Sequence, residues 1–132
     1  MKYMLDTNTC IYLIKNKPTT VLNAFQKRIN DGICISSITL AELEYGVAKS
    51  TFPSKNAIAL RQFLSAVEVL YFDNNAAAQY GDIRAVLQRK GNVIGPLDML
   101  IAGHARAREL TLVTNNEKEF TRVDGLNLEN WA

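Results

Sequence analysis

Three short apolar runs in this chain each end in small polar residues. Tyr3-Met4-Leu5 runs into Asp6-Thr7-Asn8, Ile33-Cys34-Ile35 into Ser36-Ser37, and Leu112-Val113 into Thr114-Asn115-Asn116. Two more acids stand in early turns of amphipathic segments: Glu42 after the second run and Asp98 after Gly95-Pro96. Glu119 follows Asn116 by three positions. Carboxylates gathered at one place repel one another, which raises their pKa values or drives them apart. A hard divalent cation removes that cost and turns it into affinity. Oxygen donors without His or Cys beside them select Mg²⁺ or Mn²⁺ over zinc. Such a site suits phosphodiester hydrolysis, because a bound cation acidifies water and neutralises charge on the phosphate and the leaving oxygen.

Each residue has an ordinary alternative. Asp6 can cap a helix, Glu42 and Glu119 can be solvated surface charges, and Asp98 can complement its own helix dipole. Ser36, Thr114 and Asn116 can be turn residues. The elements decide whether the set is joint. Strands are expected at Tyr3–Leu5, Ile33–Ile35, Val67–Phe72, Thr111–Val113 and Leu126–Leu128. Helices are expected over Thr7–Lys15, Pro18–Ile29, Leu40–Lys49 (capped by Ser37 or Thr39), Ala57–Ala66, Asn74–Lys90 and Leu97–Glu109, with a helical turn at Glu117–Phe120 and a loop at Thr51–Ser54. Alternating strands and helices predict an α/β fold, a three-layer α/β/α sandwich with a central, mostly parallel sheet. Ligands of such sheets bind beyond the carboxyl ends of the strands, where Asp6, Ser36 and Thr114 would then lie.

The 132 residues, 48% hydrophobic and 21% charged, fit a single domain spanning residues 1–132. No apolar run approaches the ~20 residues of a membrane span, and the first residues lack a signal peptide's apolar core, so a cytoplasmic protein is expected. Cys10 and Cys34 match no zinc spacing and read as buried, reduced thiols. The net charge of +2 is unevenly spread: residues 1–66 carry eight Lys/Arg against four Asp/Glu, which hints at a basic face. His104 stands six positions after Asp98 and should turn away from it in a helix. Arg84, Arg89 and Lys90 read as a solvated face or as phosphate contacts, and Trp131 as a packing residue.

The motifs, in order, resemble those of PIN domains. Met4-Leu5-Asp6-Thr7-Asn8 is similar to the strand that delivers the first acid. Ile35-Ser36-Ser37-Ile38-Thr39-Leu40-Ala41-Glu42-Leu43, with Gly46 after it, is similar to the second motif. Ile94-Gly95-Pro96-Leu97-Asp98-Met99-Leu100-Ile101-Ala102 is similar to the third, and Val113-Thr114-Asn115-Asn116-Glu117-Lys118-Glu119-Phe120 to the fourth. Within that family the chain looks most like bacterial VapC toxins. The resemblance implies a PIN-like fold and an endoribonuclease that needs Mg²⁺ or Mn²⁺. It also implies a homodimer and inhibition by a small VapB-type antitoxin, through which alone DNA is contacted. The Gly95-Pro96-Leu97-Asp98 and Thr114-Asn115-Asn116 segments are similar to those of toxins that cut initiator tRNA in its anticodon loop and so inhibit translation. Carried over residue by residue, Asp6 and Asp98 hold the metal, Glu42 and Glu119 support it, and Asn116 completes the catalytic set. Ser36 and Thr114 orient these groups or the substrate. Asn116 departs from the family's frequent Asp, and Glu119 is placed to restore the charge. The alternatives are a PIN-like nuclease of RNA processing outside any toxin–antitoxin pair and a non-catalytic RNA-binding module. A haloacid-dehalogenase-like phosphatase is disfavoured, because Asn8 stands where its second acid belongs.

Overall fold

The computed structural model describes residues 1–132. Five strands, β1 (Tyr3–Leu5), β2 (Ile33–Ser36), β3 (Glu68–Leu70), β4 (Thr111–Val113) and β5 (Asn127–Glu129), form one sheet in the order β3-β2-β1-β4-β5. Every pairing is parallel. The helices are α1 (Thr7–Ile14), α2 (Thr19–Arg28), α3 (Ser37–Ala48), α4 (Pro53–Leu64), α5 (Asn74–Arg89), α6 (Pro96–Ala107) and the single turn α7 (Glu117–Phe120). Residues alternate across the sheet as the pleat requires. Tyr3, Leu5, Ile33, Ile35 and Val113 pack with Leu13, Val21, Leu43 and Leu60 of α1–α4. Met4, Cys34 and Leu112 pack on the opposite face with Ile83, Leu87 and Ile101 of α5 and α6. The expected α/β/α sandwich is therefore observed. Strands buried on both faces read as unbroken apolar runs, which is why β1 and β2 were visible in the sequence.

The chain builds outward from β1 through β2 to β3. It then returns by α5 and α6 to place β4 on the other side of β1. The strand order thus reverses between β1 and β4, and a crevice opens at their carboxyl ends.

Two helix starts differ from expectation by more than one residue. α3 begins at Ser37, three residues early, and its cap is Ser36, whose hydroxyl accepts from the Ile38 amide at 3.1 Å. Neither Ser37 nor Thr39 caps. The Ser37 hydroxyl instead accepts from the Phe72 amide at 3.0 Å, and Thr39 is fully buried. α4 begins inside the expected loop, at Pro53, since proline's fixed φ suits the first helical position. The break after α1 is as expected, with Asn16 in the left-handed region at φ 57.

Two features fix α6, which carries Asp98. A Cβ on Gly103 would lie 2.8 Å from the Tyr80 amide nitrogen and 3.2 Å from the Ala76 carbonyl oxygen, so α5 and α6 approach to backbone contact there. His104 is fully buried, with its ring edge-on to Phe72 and its Nδ1 2.8 Å from Ser36 Oγ. That bond ties α6 to the residue that ends β2 and caps α3. Burial lowers the His104 pKa, so the neutral ring is favoured.

Gly103→Ala should cost about 1–3 kcal/mol in urea unfolding, because the methyl meets backbone that cannot rotate away. Ser36→Ala loses the cap, worth ~1 kcal/mol, and strands a buried imidazole nitrogen, worth ~1–3 kcal/mol. A Ser36→Ala variant as stable as the parent would show that the bond to His104 contributes nothing.

Candidate active site

Asp6 follows β1 directly and is 4% exposed. Its backbone amide donates to the Val113 carbonyl of β4 at 3.0 Å. Its Oδ1 accepts from the Thr9 amide at 2.9 Å, so Asp6 does cap α1. The bond occupies one carboxylate oxygen and fixes the side chain, leaving lone pairs on the other, so capping and ligand roles are compatible.

Glu42 lies in the second turn of α3, half-buried, and its Oε1 accepts from Thr7 Oγ1 at 2.7 Å. Thr7 Oγ1 also lies 3.4 Å from Thr39 Oγ1. Asp98 sits in the first turn of α6, half-buried. Glu119, in α7, accepts from Asn116 Nδ2 at 3.1 Å. The Asn116 amide donates to Thr114 Oγ1 at 2.9 Å, and the Thr114 amide to the Glu129 carbonyl at 2.9 Å, which anchors this turn to β5.

These elements bring the four acids within electrostatic reach of one another. The Asp98 carboxyl is pushed up to about 6, first by burial and then by Glu42, Asp6 and Glu119 in that order. No lysine or arginine offsets them: the ion pairs of the molecule are Arg28–Glu129, Lys90–Asp124 and Arg106–Asp82, all elsewhere. As they stand, the side chains do not close into a cage of three or more donors. Like charges with no counter-charge are expected to stand apart in this way. The donor set is all oxygen, and the charge is uncompensated. The residues therefore fit a hard divalent cation, which would draw the carboxylates inward.

The two residues given orienting or substrate roles are both buried, which suits orienting neighbouring groups and not direct contact with a substrate. Ser36 is fully buried and occupied by Ile38 and His104, so it presents nothing to a substrate. Thr114 is 1% exposed and holds the turn beneath Asn116. Asn116, in place of an acid, aims Glu119. Thr7 was missed: its hydroxyl aims Glu42 from across the crevice. The only sequence signal was its place beside Asp6, and its partner lies 35 positions away.

The chain matches the model of the PIN domain over residues 3–126. A curated relative, the "tRNA(fMet)-specific endonuclease VapC" of Shigella flexneri, is 51% identical over 133 residues, covering 100% of this chain and 99% of that protein. Two solved structures superpose on it with a TM-score of 0.95 each. The DNA-bound VapBC of Salmonella typhimurium is 50% identical and covers 100% of this chain and 99% of its match. The VapBC2 of Rickettsia felis, bound to a promoter DNA fragment, is 47% identical and covers 100% of both chains. With its motifs in order, its acids on one sheet edge and this likeness along the whole length, the chain belongs to the PIN domain family.

Proposed function

We propose that this chain is the toxin of a VapBC-type toxin–antitoxin pair, an endoribonuclease that cuts initiator tRNA in the anticodon loop, and that a VapB-type antitoxin inhibits it. The observation that carries the nuclease reading is the set of four uncompensated carboxylates at the switch point of the sheet, with Asp98 raised by burial and then by the other three. The substrate follows the name of the Shigella relative, and the partner follows the VapBC complexes of the structural matches. A site of action in the cytoplasm agrees with a tRNA substrate, and no helix is long and apolar enough to cross a membrane.

In this reading Asp6 and Asp98 hold Mg²⁺ or Mn²⁺, with Glu42 and Glu119 beside them. When bound, the cation acidifies a water and neutralises charge building on the scissile phosphate and its leaving 3′ oxygen. The chain's own residues do the rest. The Thr9 amide fixes the Asp6 carboxylate, Thr7 fixes Glu42, and Asn116 fixes Glu119, so three carboxylates are oriented before RNA arrives. The proton of the attacking water passes to a carboxylate of this set, and in-line attack leaves a 5′-phosphate and a 3′-hydroxyl.

Asp6→Asn keeps the cap of α1, since Asn caps as well as Asp. It should lower cleavage of initiator tRNA by at least roughly 100-fold, because losing even an outer partner of a metal ligand costs ~10–100-fold. Wild-type fragments should vanish with EDTA and carry 5′-phosphate ends. A 2′,3′-cyclic phosphate on the upstream fragment would exclude this mechanism.

A second test reads stability. A carboxyl raised to about 6 favours the folded state at low pH, and that contribution is lost as pH rises from the ordinary value of 3.8 through 6. The metal-free chain therefore carries the strain of ionised Asp98 at pH 7.5. Asp98→Asn should raise its Tm there, while Mg²⁺ should raise the wild-type Tm at pH 7.5, less at pH 5, and hardly at all in the variant. A wild-type Tm indifferent to millimolar Mg²⁺ and Mn²⁺ at pH 7.5 would count against the metal site.

A further inference from the structure

The turn after β4 puts two of its three polar side chains to local use and leaves one over. Thr114 is buried, and its hydroxyl accepts from the Asn116 amide. Asn116 donates to Glu119. Asn115 stands between them and is exposed. Its side chain makes a single hydrogen bond, in which Nδ2 donates to the Tyr12 hydroxyl at 2.6 Å, across 103 positions of chain. Tyr12 lies in α1, the helix that Asp6 caps, and its ring packs partly against the core beneath. Helical side chains lean toward the N-terminus of their helix, so the hydroxyl of Tyr12 returns toward the sheet edge. The pair therefore stands on the β4 side of the acids, next to the residue that aims Glu119. An exposed hydrogen bond between neutral groups contributes little to folding, since water serves both partners nearly as well. What this bond does is fix which way the amide faces. A free surface amide turns over and presents its oxygen or its nitrogen by turns. Held at Nδ2, Asn115 keeps its Oδ1 acceptor and its second N–H in a fixed order, neither of them bonded within the protein.

We propose that Asn115 reads the edge of a nucleobase flanking the scissile phosphate, and that Tyr12 holds it in the orientation that does so. The proposal rests on the ribonuclease reading above. Phosphate oxygens only accept, so a phosphate at this place would leave Oδ1 facing negative charge. A base edge presents a donor and an acceptor side by side, and an amide answers both. The bases of a single-stranded loop are unstacked and offer those edges. On the Watson–Crick edge, adenine and cytosine set an amino donor beside a ring-nitrogen acceptor. Guanine and uracil set a carbonyl acceptor beside a ring N–H donor. An amide free to turn over serves both classes equally, and one pinned by a tyrosine serves one. Choice of base then comes from a neutral pair at the rim of the site, and cleavage from the acids.

The test measures kcat/KM of the full chain with Mg²⁺ on the anticodon stem-loop of initiator tRNA. The loop nucleotides on either side of the mapped cut are exchanged one at a time, cytosine with uracil or adenine with guanine. Each exchange keeps the ring size and swaps donor for acceptor. At one flanking position the wild-type value should fall by at least roughly 5-fold, the lower end of what a matched amide–base pair discriminates. Asn115→Ala should cut the two loops equally well. Tyr12→Phe keeps the ring and its packing but frees the amide to turn over, so it should still cut and should lose most of the discrimination. In both variants Mg²⁺ should raise the Tm at pH 7.5 as it does in the wild type, since neither side chain bonds to a carboxylate. A wild-type chain indifferent to the exchange at every flanking position overturns the proposal. So does an Asn115→Ala or Tyr12→Phe chain that discriminates as the wild type does. Loss of cleavage of both loops together with loss of the Mg²⁺ effect on Tm would make Asn115 a support of the acid site, and the proposal is again overturned. The ribonuclease reading fails separately, if the wild-type chain with Mg²⁺ leaves both the stem-loop and the whole tRNA uncut.

Discussion

Four carboxylates held at one sheet edge push one another apart, and the scaffold that carries them must be stiffer than that repulsion. Each acid reaches the edge from a different element: Asp6 from the end of β1, Glu42 from α3, Asp98 from α6 and Glu119 from α7. No short stretch of chain could gather them. A parallel sheet with helices on both faces can, because every strand delivers its carboxyl end to the same side. The three-residue strands β1 and β4 are short, but they are central and buried, and the Asp6 amide bonded to Val113 extends their pairing to the acid itself.

The side-chain hydrogen bonds around the site serve the same end. A carboxylate free to rotate would relieve the repulsion by turning to solvent. Thr9, Thr7 and Asn116 each donate to one of three acids and hold it inward. Asp98 is held by its helix instead. α6 is pressed on α5 at Gly103 and tied through His104 to Ser36, so the acid on its first turn has little freedom to withdraw. The raised Asp98 carboxyl is the cost of that arrangement, set first by its burial and then by Glu42, Asp6 and Glu119.

What the sequence revealed and what it hid divide along the same line. Strands buried on both faces show as unbroken apolar triplets, and the acids that follow them show as the polar residue next in line. Asp6 was legible for that reason, whereas Glu42, Asp98 and Glu119 showed only as acids in early turns of helices that leave the same edge. Ser36 occupies the same kind of position as Asp6, yet it faces inward. The difference is a histidine 68 residues away that claims its hydroxyl, and no local pattern contains that information. The cap of α3 was misplaced because Ser36, Ser37 and Thr39 are all residues that cap well, and only the extended backbone of Ser36 (ψ 149) distinguishes it. Thr7 was overlooked for a related reason. Its value to Glu42 comes from two helices meeting, not from anything in its own neighbourhood.

Asn116 is the instructive departure. Where the PIN resemblance implies a fourth-motif acid, an amide stands, and its side chain donates to Glu119 at 3.1 Å. An Asp in that position would add a charge beside Glu119, against which it could only repel. The amide keeps the fourth acid at Glu119, one helical turn on, and spends its own hydrogen on aiming it. Total charge in the crevice is then four rather than five, with no arginine or lysine among them to offset a fifth. Since the side chains already stand apart without a cation, a further carboxylate would add the same repulsion to Asp98, whose carboxyl is already raised to about 6 by burial and its acidic neighbours. The substitution is best understood as a limit on how much uncompensated charge this edge can hold while the metal-free chain still folds.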